Sequence, residues 1–173
     1  HLVQNLFIGG SSSGIVTNDC VFNGSGNQGI QHFDTCTATH NNATCNNNAD
    51  DGISAHDSST VVINGGTLSN NDQGINTIAN TNTTVNGPVT MSGNTSYDVW
   101  ATNANSAQSC LITLNDCVLT GEIEASNQAK IIANDCTLSN FKIDDAFSTA
   151  ENSILNSVIA FSGSVGNFTN CLI

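Results

Sequence analysis

The chain has 173 residues, with fourteen Asp and Glu against two lysines, Lys130 and Lys142, and a net charge of −12. That balance excludes nucleic acid and anionic membrane surfaces, which are gripped by clustered Lys and Arg, and an acidic polysaccharide would need a bridging cation. No apolar run reaches 18 residues, so no membrane-inserting helix is expected, and at 9% charged residues this is no disordered acidic tail.

Taken in order, the chain is a repeat. Leu2-Val3-Gln4-Asn5-Leu6-Phe7-Ile8 already reads as the middle of a unit, and no signal peptide or initiator Met precedes it. A single domain over 1–173, cut from something longer, is expected. An opening apolar residue recurs at Ile30, Ile53, Ile75, Val99 and Ile123, in steps of 23, 22, 24 and 24. An Asn follows 11 residues later at Asn41, Asn64, Asn86 and Asn134; the Val99 unit reaches Asn115 after 16, which places an insertion near Asn103–Ser109. Asn18 closes an earlier unit, and Asn156 is expected to mark a later one.

Inside each unit apolar residues alternate with period two, as Ile112 and Leu114 before Asn115, then Cys117 and Leu119 after it. Period two means strands with one buried face. Asn tolerates the left-handed conformation, so it is expected to turn the chain between strands. Three short strands per 22–24 residues cannot close a core alone but bury one when stacked, so the fold class is an all-β solenoid. At about 4.8 Å per coil, seven or eight coils give a rod about 35 Å long.

Cys20, Cys117 and Cys136 each follow Asn-Asp and share one inward position, which Cys171, after Asn170, joins. Stacked inward positions make apolar columns, so these are expected as core thiols, with Cys117 and Cys136 near enough on adjacent coils for a bridge. No CxxC or Cys/His cluster suggests zinc.

The Asn bend, stacked from coil to coil, resembles the right-handed parallel β-helix of the pectin-lyase-like superfamily, over nearly the whole chain. That superfamily includes lyases, hydrolases, epimerases, phage tailspikes and non-catalytic adhesins, so the resemblance implies fold rather than activity. Asp51-Gly52-Ile53-Ser54-Ala55-His56-Asp57 is similar to the Asp-Pro-His-Glu/Asp signature of mannuronan epimerases and related lyases. The likeness would make His56 the catalytic histidine and Asp57 the acid after it. Ser54 stands where the signature has Asp, and Ala55 where it has Pro.

In such folds the ligand lies along the outer face of the first sheet. With the opening residues pointing inward, the outward row is Gln31, Ser54, Asn76, Trp100, Glu124 and then Lys142 or Asp144, with Tyr97 beside the only Trp. An exposed aromatic among amides and carboxylates suits a sugar ring, and packing of Trp100 under the insertion is the bland alternative. The acid-and-histidine group His32, Asp34, Asp50, Asp51, His56, Asp57 and Asp72 is the candidate catalytic centre, with His56, Asp57, Asp34 and Asp51 foremost. Paired carboxylates could serve glycoside hydrolysis, and His56 could serve as base in elimination or epimerisation. The competing reading makes these acids turn formers. No cofactor is expected; Ca²⁺ on Asp50, Asp51 and Asp72 is the minor alternative.

Three functions follow. The favoured one is a carbohydrate-recognising segment of an extracellular, cell-surface or tailspike-like virion protein, binding a polysaccharide or cell-surface glycan. The second is a polysaccharide hydrolase, lyase or epimerase, and the third a structural or adhesive rod. The apolar last unit, Ser153–Phe161, and the uncapped Cys171-Leu172-Ile173 lead to the expectation that either a partner chain, as in a homotrimer, or further sequence covers that end.

Overall fold

The computed structural model describes residues 5–105, 107–161 and 163–173, and His1–Gln4 of the expected first unit lie outside them. Every strand pair is parallel and joins successive coils, giving a β-solenoid of about 7 turns. Parallel stacking satisfies an inner strand's backbone from the coils above and below, so even the three-residue strand over Ile30–His32 is held on both sides.

The first sheet stacks β1 (Leu6–Ile8), β3 (Ile30–His32), β5 (Asp51–Ala55), β7 (Gln73–Ile78), β9 (Tyr97–Thr102), the end of β11 (Val118–Ser126), β13 (Thr137–Asp144) and β16 (Val158–Ala160). The second stacks β2 (Ile15–Asn18), β4 (Thr37–Thr44), β6 (Thr60–Thr67), β8 (Asn82–Met91), β10 (Leu111–Asn115), β12 (Lys130–Asn134), β14 (Phe147–Glu151) and β17 (Val165–Thr169). The far ends of β4, β6 and β8, the starts of β11 and β13, and β15 (Ile154–Leu155) make the third. Ile30, Ile53, Ile75, Val99, Ile123 and Phe141 form one fully buried column, and Leu68, Met91, Leu119, Leu138 and Leu155 another.

The repeated asparagines form a hydrogen-bonded ladder. The Nδ2 groups of Asn41, Asn64, Asn86, Asn115 and Asn134 each donate to Oδ1 of the preceding asparagine, from Asn18 onward, at 2.8–2.9 Å. These asparagines end strands or lie within them, and the turn falls one residue later. Asp19, Asn42, Gly65, Asp116 and Asp135 hold φ of 51–68°. The ladder residue must keep extended backbone to aim its amide along the stack, so its neighbour takes the left-handed position. The next position belongs to Glu151 rather than Asn156: Glu151 pairs in register with Asn134, and Asn152 follows at φ 50°. Asn156 instead follows β15, its N–H bonded to the Leu138 carbonyl.

A second, buried ladder explains the glycine that opens each unit. Asn48, Asn71 and Asn94 accept backbone N–H groups from Ser25, Asn48 and Asn71 through their side-chain oxygens. A Cβ on Gly29 would lie 2.8 Å from Asn48 Nδ2, and one on Gly52 2.9 Å from Asn71 Nδ2 and 2.7 Å from the Gly74 carbonyl. Glycine clears the path for the corner amides.

All seven cysteines are free thiols, so Cys117 and Cys136 are unbridged. Both are buried, as are Cys36, Cys45 and Cys110, while Cys20 and Cys171 are half-buried at the two ends. Hydrogen bonding with Cys136, then burial, pushes the Cys117 thiol up.

Candidate functional site

The outer row of the first sheet is continuous. Gln31, Ser54, Asn76, Trp100, Glu124 and Lys142 are direct cross-strand neighbours, one per coil. Ser54, Asn76 and Glu124 are nevertheless 0%, 8% and 6% exposed, so the row is a floor walled by its own neighbours. Trp100 rises from it half-buried and stacks on Tyr97, with ring centroids 6.0 Å apart and planes 14° off parallel.

Asp51 anchors the middle of the floor. It lies opposite Gln73 on the next coil, and its Oδ2 accepts Asn76 Nδ2 at 3.1 Å. Burial, then the Asp50 charge, raises its carboxyl from 3.8 to about 7, against Ser54 and Asn76, whose hydrogen bonds favour the charged form. Ser54 Oγ meets His56 Nε2 at 2.7 Å. Burial lowers the His56 imidazole, opposed by Asp57 and Asp50. Its ring stacks on Phe33 of the preceding coil at 4.7 Å and 11°. Near neutral pH the trio therefore holds a carboxyl in the middle of its titration, a hydroxyl and a neutral base. Ser54 is sealed from solvent, so it can relay between Asp51 and His56 but cannot meet a ligand itself.

Around this trio several buried polar atoms have no partner: Gln28 Oε1, Asp51 Oδ1, Gln73 Oε1, Asn76 Oδ1 and Trp100 Nε1. Gln28 Nε2 is committed to Asp50 Oδ2 at 2.8 Å, and Asn76 Nδ2 to Asp51, which fixes both amides with oxygen toward the gap. These four acceptors and one donor are sealed from solvent, as Ser54 is, so they polarise the floor from beneath rather than meet a ligand directly.

Glu124, beside Trp100, is spoken for. It forms an ion pair with Lys142, whose ammonium also lies 5.5 Å from the Phe161 ring centre, and it hydrogen-bonds Tyr97. The Tyr97 phenol is raised by burial and by Glu124.

The remaining expected residues fall elsewhere. Asp34 and Asp57 are exposed at equivalent bends after the first sheet, at φ 62° and 61°, and Asp34 Oδ2 accepts the Gly10 N–H at 3.0 Å. They sit on the turn side, away from the Asp51 floor. His32 points into the core, because it continues the inward column that Ala55 and Thr77 occupy. Its Nδ1 faces the Ser54 carbonyl at 3.1 Å, its Nε2 meets His40 Nε2 at 2.9 Å, and His40 Nδ1 meets Thr17 Oγ1 at 2.8 Å. The carbonyl can only accept, so His32 carries its hydrogen on Nδ1, His40 on Nε2, and Thr17 donates to His40. Burial holds both imidazoles neutral, at about 4 and about 3. Period-two reading could have found this pair, since His40 sits two residues before bend-adjacent Asn42 in an inward register.

Among the described residues no group of three or more His, Cys, Asp or Glu is arranged to hold a metal. Asp72, one of the three candidate Ca²⁺ ligands, instead accepts Thr95 and Ser96 hydroxyls at 2.8 and 2.6 Å. No family model matches the chain, and no curated protein or solved structure does either.

Proposed function

We propose that the chain is a carbohydrate-recognising β-helix of the pectin-lyase-like kind, which lays a neutral polysaccharide along the outer face of its first sheet. The observation that carries this is the Tyr97–Trp100 platform set in an outer row of polar side chains, with Asn76 and Glu124 on either side of Trp100. A pyranose offers an apolar face for the rings and hydroxyls for the polar side chains beside them. The neutral class follows from charge: Lys142 is consumed by Glu124, Lys130 lies on the second sheet, and the Asp50 and Asp72 charges act on Asp51 in the floor. A uronic acid would meet uncompensated carboxylates. An extracellular, cell-surface or virion setting belongs to this reading. So does a homotrimer, which would cover Ile159, Phe161, Val165 and Leu172, all exposed on the last coils; a stable monomer by sedimentation at micromolar concentration refutes it.

The Asp51–Ser54–His56 connection favours a second reading, in which the same groove modifies the glycan. A carboxyl titrating near 7 and a neutral imidazole could supply general acid and base. A glycan array on the purified chain, with reducing ends assayed on every sugar that binds, separates the two. Binding without new ends or altered sugar, lost at least tenfold in Trp100→Ala, supports recognition. New ends that vanish in His56→Ala support catalysis. Binding to uronic acid polymers alone refutes the neutral class, and no binding at all refutes both readings in favour of a structural rod.

A further inference from the structure

The coil of β9, the fifth along the first sheet, departs from its neighbours at the bend after that sheet. Where other coils turn on one or two left-handed residues, such as Asp34, Asp57, Asn127-Gln128 and Asp145, this one carries the insertion after β9. The insertion is tied down. Ala104 and Asn105 N–H groups both reach Gln108 Oε1, Ala107 N–H reaches Asn105 Oδ1, and Ser109 N–H reaches Asn80 Oδ1 on the preceding coil. Its described residues, 103–105 and 107–109, therefore stand as a wall over the bends of the next two coils. Between wall and bends lies a recess of about 250 Å³, lined by Asn103, Ala104, Asn105, Asn127, Gln128 and Asp145.

The orientation of its amides can be read from backbone donors, which are unambiguous. Cys110 N–H donates to Asn103 Oδ1 at 2.8 Å, so Asn103 presents Nδ2; Asn103 is 3% exposed, and that nitrogen has no partner among the described residues. Ala107 N–H fixes Asn105 in the same sense. Asn127 is reversed, because its Nδ2 donates to Thr102 Oγ1 at 3.0 Å and turns its oxygen the other way. Asp145 adds a carboxylate at the rim. The lining thus offers two amide donors and two oxygen acceptors around a space the size of one sugar ring.

We propose that this recess is a separate binding site for one neutral monosaccharide unit, read through a pair of adjacent hydroxyls. Each hydroxyl both donates and accepts, which matches the mixed lining. An anion would face Asp145, and a bare cation would face two N–H groups, so neither fits. Burying the unpartnered Asn103 amide is costly in the free chain, and a hydroxyl seated at its base removes that cost.

The site lies around the corner from the Trp100 row, and the two can be followed independently. The test titrates the ¹⁵N-labelled chain with glucose, galactose, mannose and N-acetylglucosamine, each to roughly 100 mM, a range suited to the millimolar affinity of a single sugar ring, while recording side-chain amide NMR and Trp100 fluorescence. Saturable shifts of the Asn103 and Asn105 NH₂ signals with at least one sugar are expected. Asp145→Ala should weaken that response at least fivefold and leave the Trp100 response unchanged. A Trp100 response without amide shifts overturns this site and spares the outer-face reading; amide shifts without a Trp100 response do the reverse. Silence of the amide signals with all four sugars, or a response to Ca²⁺ in their place, also overturns it.

Discussion

Replacing Asp51 by Asn tests the account of the floor. In the folded chain the carboxyl moves from 3.8 to about 7 because it is 1% exposed and flanked by Asp50. The folded value is raised, so its contribution to stability is complete below about pH 4 and is lost as pH rises through 7. At about 1.4 kcal/mol per tenfold change in acidity, ionising this group within the fold costs up to about 4 kcal/mol. The Asp51→Asn side chain has no charge to bury. It can keep its oxygen toward Asn76 Nδ2 and turn its NH₂ toward the unpartnered Gln28, Gln73 and Asn76 oxygens. Urea unfolding of both proteins at about pH 4.5 and about pH 8, on either side of the carboxyl's transition, supplies the measurement. The variant should be more stable by about 2–4 kcal/mol at the higher pH, with the advantage falling below about 1 kcal/mol at the lower. Taking the difference cancels His32 and His40, whose lowered values give the opposite slope. An advantage that does not change with pH would refute the reasoning.

Other outcomes follow from the same structure. Asn64→Ala removes one donor and one acceptor from the ladder and should cost about 1–3 kcal/mol in thermal or urea melts, whereas Glu151→Asn, by giving Asn134 Oδ1 a donor, should add about 0.5–1.5 kcal/mol. Gly52→Ala drives a methyl against the Gly74 carbonyl and Asn71 and should destabilise by about 1–3 kcal/mol in the same assay. The His32 and His40 imidazoles should stay neutral down to about pH 5 by NMR; stability held by the pair is present near pH 7 and lost as pH falls toward 4. A thiol reagent should label Cys20 and Cys171 in the native chain, and the five buried cysteines only on unfolding.

Architecture was legible because the physics of a coil repeats. Period-two alternation, the 22–24-residue step and the recurring Asn each reported a stacked position, and the outward row from Gln31 to Lys142 follows from where the isoleucines point. The inward cysteines were legible for the same reason. What sequence reading missed depended on one residue of backbone geometry. The left-handed residue follows the ladder Asn, because the Asn side chain needs extended backbone to reach its neighbour. His32 was placed among the surface acids by composition, although its register with Ala55 puts it inside. The acids around His56 look equivalent in sequence, yet Asp51 is buried at the start of its strand while Asp34 and Asp57 are spent on bends. Charge partners of opposite sign, such as Glu124 and Lys142, are 18 residues apart and meet only once the coil length is known.

The asparagine ladder has a direction, since every amide donates toward the N-terminal coil and accepts from the C-terminal one. Each coil therefore offers the same pair of connectors, like a brick with a stud on one side and a socket on the other. A whole coil could be duplicated or excised without inventing a new joint, so the length of the rod is free to vary while its cross-section is not. Glu151 is the brick without a stud: it caps the series, and past it the chain no longer shares this modular freedom.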